Sequence, residues 1–194
     1  MKKTLIAGLV GGVILFVWSF LAWTVFPLHE PSLHRMTNED AVIAALQPQL
    51  RDKAVYMFPK GPGMSADKAT MDAWTEKMRR GPTGLIFYDP QGSDPMMASQ
   101  MVIGLILDIL SAALIAWFLA RSTAMTASFL ARAAYCAMFA IFVSVYTHLM
   151  SWNWMGYPVD FTVGLILDGI IGCFLAGLGI AAIIKPPSAQ PAKV

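Results

Sequence analysis

The chain has 194 residues, of which 57% are apolar and 13% are charged, with a formal net charge of +2 and a mean hydropathy of +0.59. Soluble globular domains average roughly 45–50% apolar and about 25% charged residues, so this composition excludes that class and indicates a membrane protein. The small net charge, spread over both signs, excludes a nucleic-acid footprint.

Four apolar stretches are long enough to cross a bilayer core, which takes about 20 residues of helix. The first begins Met1-Lys2-Lys3 and stays apolar to Leu28 without a small-x-small cleavage site, so we interpret it as a retained signal anchor. The predicted segments, in chain order, are transmembrane helix 1 (1–28), an extracytoplasmic insertion (29–98), transmembrane helix 2 (99–121), transmembrane helix 3 (127–150), transmembrane helix 4 (160–185) and a cytoplasmic tail (186–194).

The basic residues outside the insertion orient the chain, because short cytoplasmic loops carry an excess of Lys and Arg. All of them fall on one side if the four helices alternate in direction: Lys2, Lys3, Arg121, Arg132, Lys185 and Lys193. This pattern predicts a multi-pass protein of a bacterial-type inner membrane with both termini in the cytoplasm. The insertion, with eight basic and nine acidic residues, then faces the periplasm.

The insertion shows the pattern helix, strand, helix, strand, which predicts a small α+β unit. Thr37 is placed to cap the first helix and Ser65 the second, which stops at Gly81-Pro82. Short apolar runs at 54–58 and 85–88 are the strand candidates.

Two sequence echoes indicate an internal duplication. Gly-Leu-Ile-Leu-Asp occurs at 104–108 and again at 164–168, an offset of 60, while a Trp-x-x-aromatic-Pro pattern starts at Trp23 and again at Trp154, an offset of 131. The difference, 131 − 60 = 71 residues, is the insertion. The predicted fold class is therefore an all-α integral membrane protein, with four transmembrane helices arranged as two pseudo-repeated hairpins.

Each repeat ends in a carboxylate, Asp108 or Asp168, at similar depth within an apolar helix. A charge there costs a few kcal/mol, so such residues usually pair, take up a proton or line a polar path. We expect Asp108 and Asp168 to hold the hairpins together by hydrogen bonds. The alternatives are a proton or cation relay, as in transporters built from parallel repeats, and a position facing lipid or a partner.

Other membrane features follow from position along the helices. Arg132, near the cytoplasmic end of helix 3, is expected to extend toward headgroups or, alternatively, to pair with one of the aspartates. Small residues at spacing four, such as Gly8 and Gly12, favour close packing within one bundle over oligomerisation. An aromatic belt at the outer boundary is predicted for Trp18, Trp23, Trp152, Trp154 and Tyr157.

The sequence contains no clear cofactor-binding or catalytic motif. His29, His34 and Met36 are the candidates for a soft-metal site, but the methionine spacing does not favour one, and facing histidines for haem are missing from the spans. Cys136 and Cys173 are expected to be small packing residues. We find no phosphate-binding Gly-rich loop, metalloprotease motif or nucleophile elbow, so we predict neither a cofactor nor an enzyme.

Two functional hypotheses remain. The first is a non-enzymatic accessory, assembly or scaffolding subunit of a larger inner-membrane complex, with the bilayer and that complex as partners. The second is a small proton- or cation-linked transporter or channel, acting as a homo-oligomer and using Asp108 and Asp168.

Overall fold

The computed structural model describes residues 2–95 and 97–186. It is mostly helical and carries a small two-stranded sheet, and four helices are long and apolar enough to cross a membrane, as predicted. The elements, in chain order, are α1 (Lys2–Thr24), α2 (Glu39–Leu46), β1 (Ala54–Phe58), α3 (Lys68–Arg80), β2 (Gly84–Tyr88), α4 (Ala98–Arg121), α5 (Phe129–Val143), α6 (Met150–Met155) and α7 (Val159–Ile183). Apart from Pro186, the predicted tail at 186–194, with Lys193, lies outside the described residues.

The third spanning helix is continuous from Phe129 to Met155, because a π-helical turn at Ser144–Leu149 joins α5 to α6. The Ser144 hydroxyl donates a hydrogen bond of 2.7 Å to the Ala140 carbonyl just before this turn. The helix runs five residues beyond the predicted end at 150 and stops before Gly156, whose positive φ of 71° suits a glycine.

The first spanning helix is shorter than predicted. It ends at Thr24 rather than near 28, three residues before Pro27. Proline disfavours helical backbone in the residue before it and lacks the amide that would continue the helix, so the apolar run outlasts the helix. Residues 25–28 therefore leave the helical path while still being apolar.

The helices of the membrane unit pack through small residues. α1 packs along both α4 and α7, and α5 packs along α7. A Cβ built on Gly8 would lie 2.6 Å from the Ala113 Cβ, and one built on Gly12 would lie 2.6 Å from the Ile109 Cγ1, so both glycines let α1 approach α4 closely. The predicted intramolecular use of these glycines is confirmed. The buried core around them is rich in alanine: Ala7, Ala112, Ala116, Ala176, Leu119, Cys136 and Ile180.

A second compact unit consists of Arg35–Pro95 together with Trp154–Gly156. It contains α2, β1, α3 and β2 in the predicted order, and β1 pairs antiparallel with β2 from Ala54↔Tyr88 to Phe58↔Gly84. The Trp74 indole donates to the Pro59 carbonyl at 3.3 Å and ties α3 to the end of β1. No residue in this unit is buried.

Both helix caps of this unit differ from the prediction by one or two positions. Asn38, not Thr37, accepts a hydrogen bond from the Ala41 amide, and Asp67, not Ser65, accepts one from the Thr70 amide. In each case the capping oxygen must lie three residues before the amide that it binds, and the first helical turn starts later than the apolar pattern indicates.

The Asp67 cap makes a testable contribution to α3. The hydrogen bond from the Thr70 amide lowers the pKa of Asp67. The cap therefore stabilises α3 fully at pH values above the ordinary Asp pKa, and this stabilisation is lost as the pH falls through the lowered pKa. We expect Asp67→Ala to accelerate hydrogen exchange of the first α3 amides in the full-length protein. Asp72→Ala, which removes a carboxylate that the Lys68 side chain binds, should leave those amides slow. Equal exchange in the two variants would contradict the cap.

Candidate functional site

Asp168 lies at the centre of a polar cluster within the membrane unit. The Trp18 indole donates a hydrogen bond of 2.7 Å to Asp168 Oδ1 and also lies 3.1 Å from its backbone carbonyl. His29 Nε2 lies 3.1 Å from Asp168 Oδ2. Both carboxylate oxygens are thus bound, one by α1 and the other by the segment that follows α1.

His29 is the most enclosed member of this cluster, with only 2% of its surface exposed. Its ring stacks on Trp23 with centroids 3.8 Å apart and planes 12° from parallel. Its Nδ1 faces Gly164, where an added Cβ would lie 3.3 Å away, and Nδ1 has no hydrogen-bond partner among the described residues. Gly164 therefore leaves the space that the histidine occupies.

The chain reaches this geometry by folding back after α1. Trp18 lies six residues before the end of α1, about 9 Å along the helix axis, yet both Trp18 and His29 contact the same carboxylate. The segment from Val25 to His29 must therefore reverse direction beside α1. Amides of Val25 and Phe26 both donate to the Leu21 carbonyl, which closes the end of the helix at the start of this reversal.

Asp108 has a different environment, although it ends the same five-residue motif. It is partly buried and accepts no hydrogen bond from any described residue. It lines a groove of about 740 Å³ between α1 and α4, whose walls include Phe16, Phe20, Trp23 and Met101. Within the part of the chain that the structure describes, one motif thus holds a hydrogen-bonded carboxylate and the other a carboxylate without a donor.

The asymmetry follows from the residues around each motif. With the Trp23-to-Trp154 offset of 131, the positions equivalent to Trp18 and His29 are Leu149 and Asp160, neither of which carries a donor that could serve Asp108. The packing is unequal as well, because α1 lies along α7 whereas α4 and α5 touch only slightly. The two Gly-Leu-Ile-Leu-Asp motifs thus repeat in the sequence, but the polar contacts of their aspartates are not equivalent.

Arg132 neither extends outward nor pairs with an aspartate, which differs from both expectations. Its side chain is 6% exposed, and its guanidinium donates to the carbonyls of Ala127 at 2.8 Å and Ala181 at 3.0 Å. Because the last carbonyls of a helix lack partners within it, Arg132 satisfies a carbonyl near the end of α7 and links α5 to α7. Its Nε has no partner among the described residues.

The predicted belt residues divide into two groups. Trp18 and Trp23 belong to the Asp168 cluster, since one binds the carboxylate and the other stacks on His29, although Trp23 remains 48% exposed. Trp152 and Trp154 are exposed, and Tyr157 is half-buried with its ring 5.6 Å from that of Phe161. Sequence position alone marks an aromatic residue near a boundary but leaves open whether it faces inward.

The soft-metal candidates do not form a site together. His29 Nε2 is bound to Asp168, whereas His34 and Met36 are exposed. Within the described ranges no three His, Cys, Asp or Glu residues converge as metal ligands would. Cys136 is buried and Cys173 half-buried, both as free thiols.

Sequence reasoning missed the contact of Trp18 and His29 with Asp168. The usable signal was chemical: an aspartate within a membrane helix needs donors, and His29 and an indole at Trp18 are among the few available near that end of the bundle. A His–carboxylate pair can exchange a proton, and a free carboxylate in an apolar groove can bind a cation. No protein-family model, curated protein or solved structure matches this chain.

Proposed function

We propose that this chain is a non-enzymatic integral membrane subunit that assembles with a larger complex and presents its Arg35–Pro95 unit to it. The observation that carries the proposal is the absence of any buried residue in that unit. A unit of this size has little core of its own, and covering its apolar surface would supply the missing burial.

The two-stranded sheet offers the clearest surface for such a contact. Residues directly opposite in an antiparallel pair point to the same face, which places Val55 and Met57 beside Phe87 and Leu85. Val55 is 56% exposed and Phe87 is 70% exposed. Two bulky side chains with this exposure on one sheet face favour an interface over a free surface.

The polar cluster at Asp168 supports a structural role for the membrane unit. Its carboxylate is bound on both oxygens by Trp18 and His29 and is only 16% exposed, so it joins α1, the returning segment and α7. A group engaged in this way serves assembly of the bundle better than passage of a solute. We further propose that the two helix pairs, α1 with α4 and α5 with α7, are a duplicated hairpin whose polar contacts have diverged.

Purification from native membranes in mild detergent tests the subunit proposal. We expect one companion at constant stoichiometry, lost in the Val55→Ser/Phe87→Ser double variant and kept in Met64→Ser, which alters a fully exposed methionine away from the sheet. Recovery of the chain alone, as a stable homo-oligomer, would contradict the proposal.

The orientation that goes with this proposal places both termini in the cytoplasm of a bacterial-type cell and Arg35–Pro95 in the periplasm. The basic residues Lys2, Lys3, Arg121 and Lys185 at the ends of the spans support it. A periplasm-active reporter fused after Gln91 and a cytoplasm-active reporter fused after Val194 should both be active. Activity of the opposite reporter at either position would overturn this orientation.

A second candidate, a proton- or cation-linked carrier, is favoured by two groups that have no hydrogen-bond partner among the described residues: buried His29 Nδ1 and the Asp108 carboxylate. Purified chain in proteoliposomes should then support a flux driven by a proton or cation gradient. Asp108→Asn, which preserves shape but removes the titratable group, should abolish that flux while the protein stays folded. No gradient-dependent flux by the native chain would exclude this candidate.

A further inference from the structure

The groove between α1 and α4 widens toward one end of the helix pair. Close contact at Gly8 and Gly12 holds the helices together along the first half of α1, and the groove opens between the second half of α1 and the first three turns of α4. The lining residues are Phe16, Ser19, Phe20, Trp23, Thr24, Met97, Gln100, Met101, Gly104, Leu107 and Asp108. Its volume is about 740 Å³.

Of the described residues that line this groove, Asp108 alone carries a charge. It lies ten residues into α4, about 15 Å from the start of that helix, so it is near the middle of the span. None of the described residues donates a hydrogen bond to it. A carboxylate in an apolar membrane environment without a donor is unfavourable, and a cation beside it would remove that cost.

The walls of the groove suit a cationic side chain carried by a helix. The rings of Phe16, Phe20 and Trp23 can contact a cation through their faces as well as an aliphatic stem. Gly104 lies one turn before Asp108 on α4, and the space beside it is open. A Cβ added there would have Phe16 Cε2, at 4.0 Å, as its nearest neighbour. A glycine at such a point lets another helix backbone approach.

We propose that this groove receives a transmembrane helix of a partner subunit that carries a Lys or Arg near its midpoint, and that this side chain pairs with Asp108. The inference rests on the proposed function as a subunit and names the chemistry of the partner in the membrane. The occupant should carry a positive charge, because Asp108 supplies a negative group beside mainly aromatic and aliphatic surface, and the remaining polar lining residues, Ser19, Thr24 and Gln100, are neutral.

A second copy of this chain does not meet that requirement. Among the described residues of the four spanning helices, Lys2, Lys3 and Arg121 lie at the helix ends opposite the opening of the groove. Arg132 donates its guanidinium to the carbonyls of Ala127 and Ala181. Within the described parts of these four helices, a second copy therefore offers no free Lys or Arg at the depth of Asp108.

Designed peptides test the proposal directly. The probe is a Leu/Ala-rich transmembrane peptide with one central Lys, compared with the same peptide carrying Leu there, in phosphatidylcholine vesicles with the full-length chain. Energy transfer between labelled chain and peptide should show about tenfold tighter binding of the Lys peptide, the scale of one polar contact between membrane helices. Asp108→Asn should abolish this preference, whereas Asp160→Asn, at the exposed start of α7, should keep it.

A charge exchange gives an independent arm: Asp108→Lys should bind a peptide with a central Glu in preference to the Lys peptide. Equal binding of the Lys and Leu peptides, or a preference that survives Asp108→Asn, would overturn the proposal.

Two other results would assign the groove to a different occupant. Loss of the preference when phosphatidylethanolamine replaces phosphatidylcholine would assign it to a headgroup amine. Energy transfer between two labelled copies that excludes the peptide would assign it to a second copy. A native companion that still copurifies with Asp108→Asn, without Lys-peptide binding to the native chain, would end this proposal and leave the subunit proposal standing.

Discussion

Replacing Gly12 with alanine should destabilise the membrane unit by about 2 kcal/mol, within the range for inserting a methyl group into a tightly packed core. The added Cβ would lie against the backbone of Ile109 and 2.6 Å from its Cγ1, closer than side-chain carbons pack. Because backbone atoms of α4 are among the atoms in contact, a rotamer change cannot relieve the overlap, and α1 and α4 must move apart. Gly8→Ala, whose Cβ would lie 2.7 Å from the Ala113 Cα, should act in the same direction.

Reversible unfolding of the full-length chain in mixed micelles of mild detergent and dodecyl sulfate measures this effect. Gly104→Ala is the matched control in the partner helix, because its added Cβ has only an ordinary contact with Phe16. That variant should be neutral or slightly stabilising, since alanine restricts the unfolded chain more than glycine does. Similar unfolding of Gly12→Ala and Gly104→Ala would refute the close approach of α1 and α4.

The elements of this fold that sequence could predict are those set by local pattern. Apolar runs of spanning length predict the four long helices, and alternating short runs between turns at Pro59 and Gly81-Pro82 predict β1, α3 and β2. The spacing of Gly8 and Gly12 predicts close helix packing, because it depends on two small residues on one helix face. In each case the signal and the structure involve residues that are neighbours along the chain.

The polar cluster could not be predicted in this way. Trp18 and His29 contact a carboxylate 150 and 139 residues further along the chain, and His29 reaches it only because the chain reverses after Thr24. Hydropathy treats residues 25–28 as a continuation of the apolar helix, so it places His29 at the start of the extracytoplasmic insertion instead of inside the bundle. Two identical five-residue motifs also suggest identical surroundings for their aspartates. The surroundings of Asp108 and Asp168 are instead set by the segments that pack against each motif.

The difference between those surroundings predicts that leucine will destabilise the bundle at Asp168 but not at Asp108. Asp168→Leu removes the acceptor for the Trp18 indole and the partner of buried His29, so it should destabilise the bundle by about 2 kcal/mol, the sum of two polar contacts between membrane helices. Asp108→Leu breaks no hydrogen bond to any described residue and removes a carboxylate from an apolar groove, so it should leave the purified chain equally or more stable. The same unfolding titration measures both.

Asparagine separates the role of charge from that of hydrogen bonding at Asp168. Its Oδ1 can still accept from Trp18, and its amide can donate to His29 Nε2 if the ring proton moves to Nδ1, where no described residue accepts it. Asp168→Asn should therefore lose less stability than Asp168→Leu, but some, because the transferred proton lies in a buried position beside Gly164. Indole fluorescence of a variant that keeps only Trp18 should shift to longer wavelength in Asp168→Leu and change little in Asp168→Asn. Equal losses at Asp108 and Asp168, or an unchanged indole environment in Asp168→Leu, would show that this carboxylate does not hold α1 and α7 together.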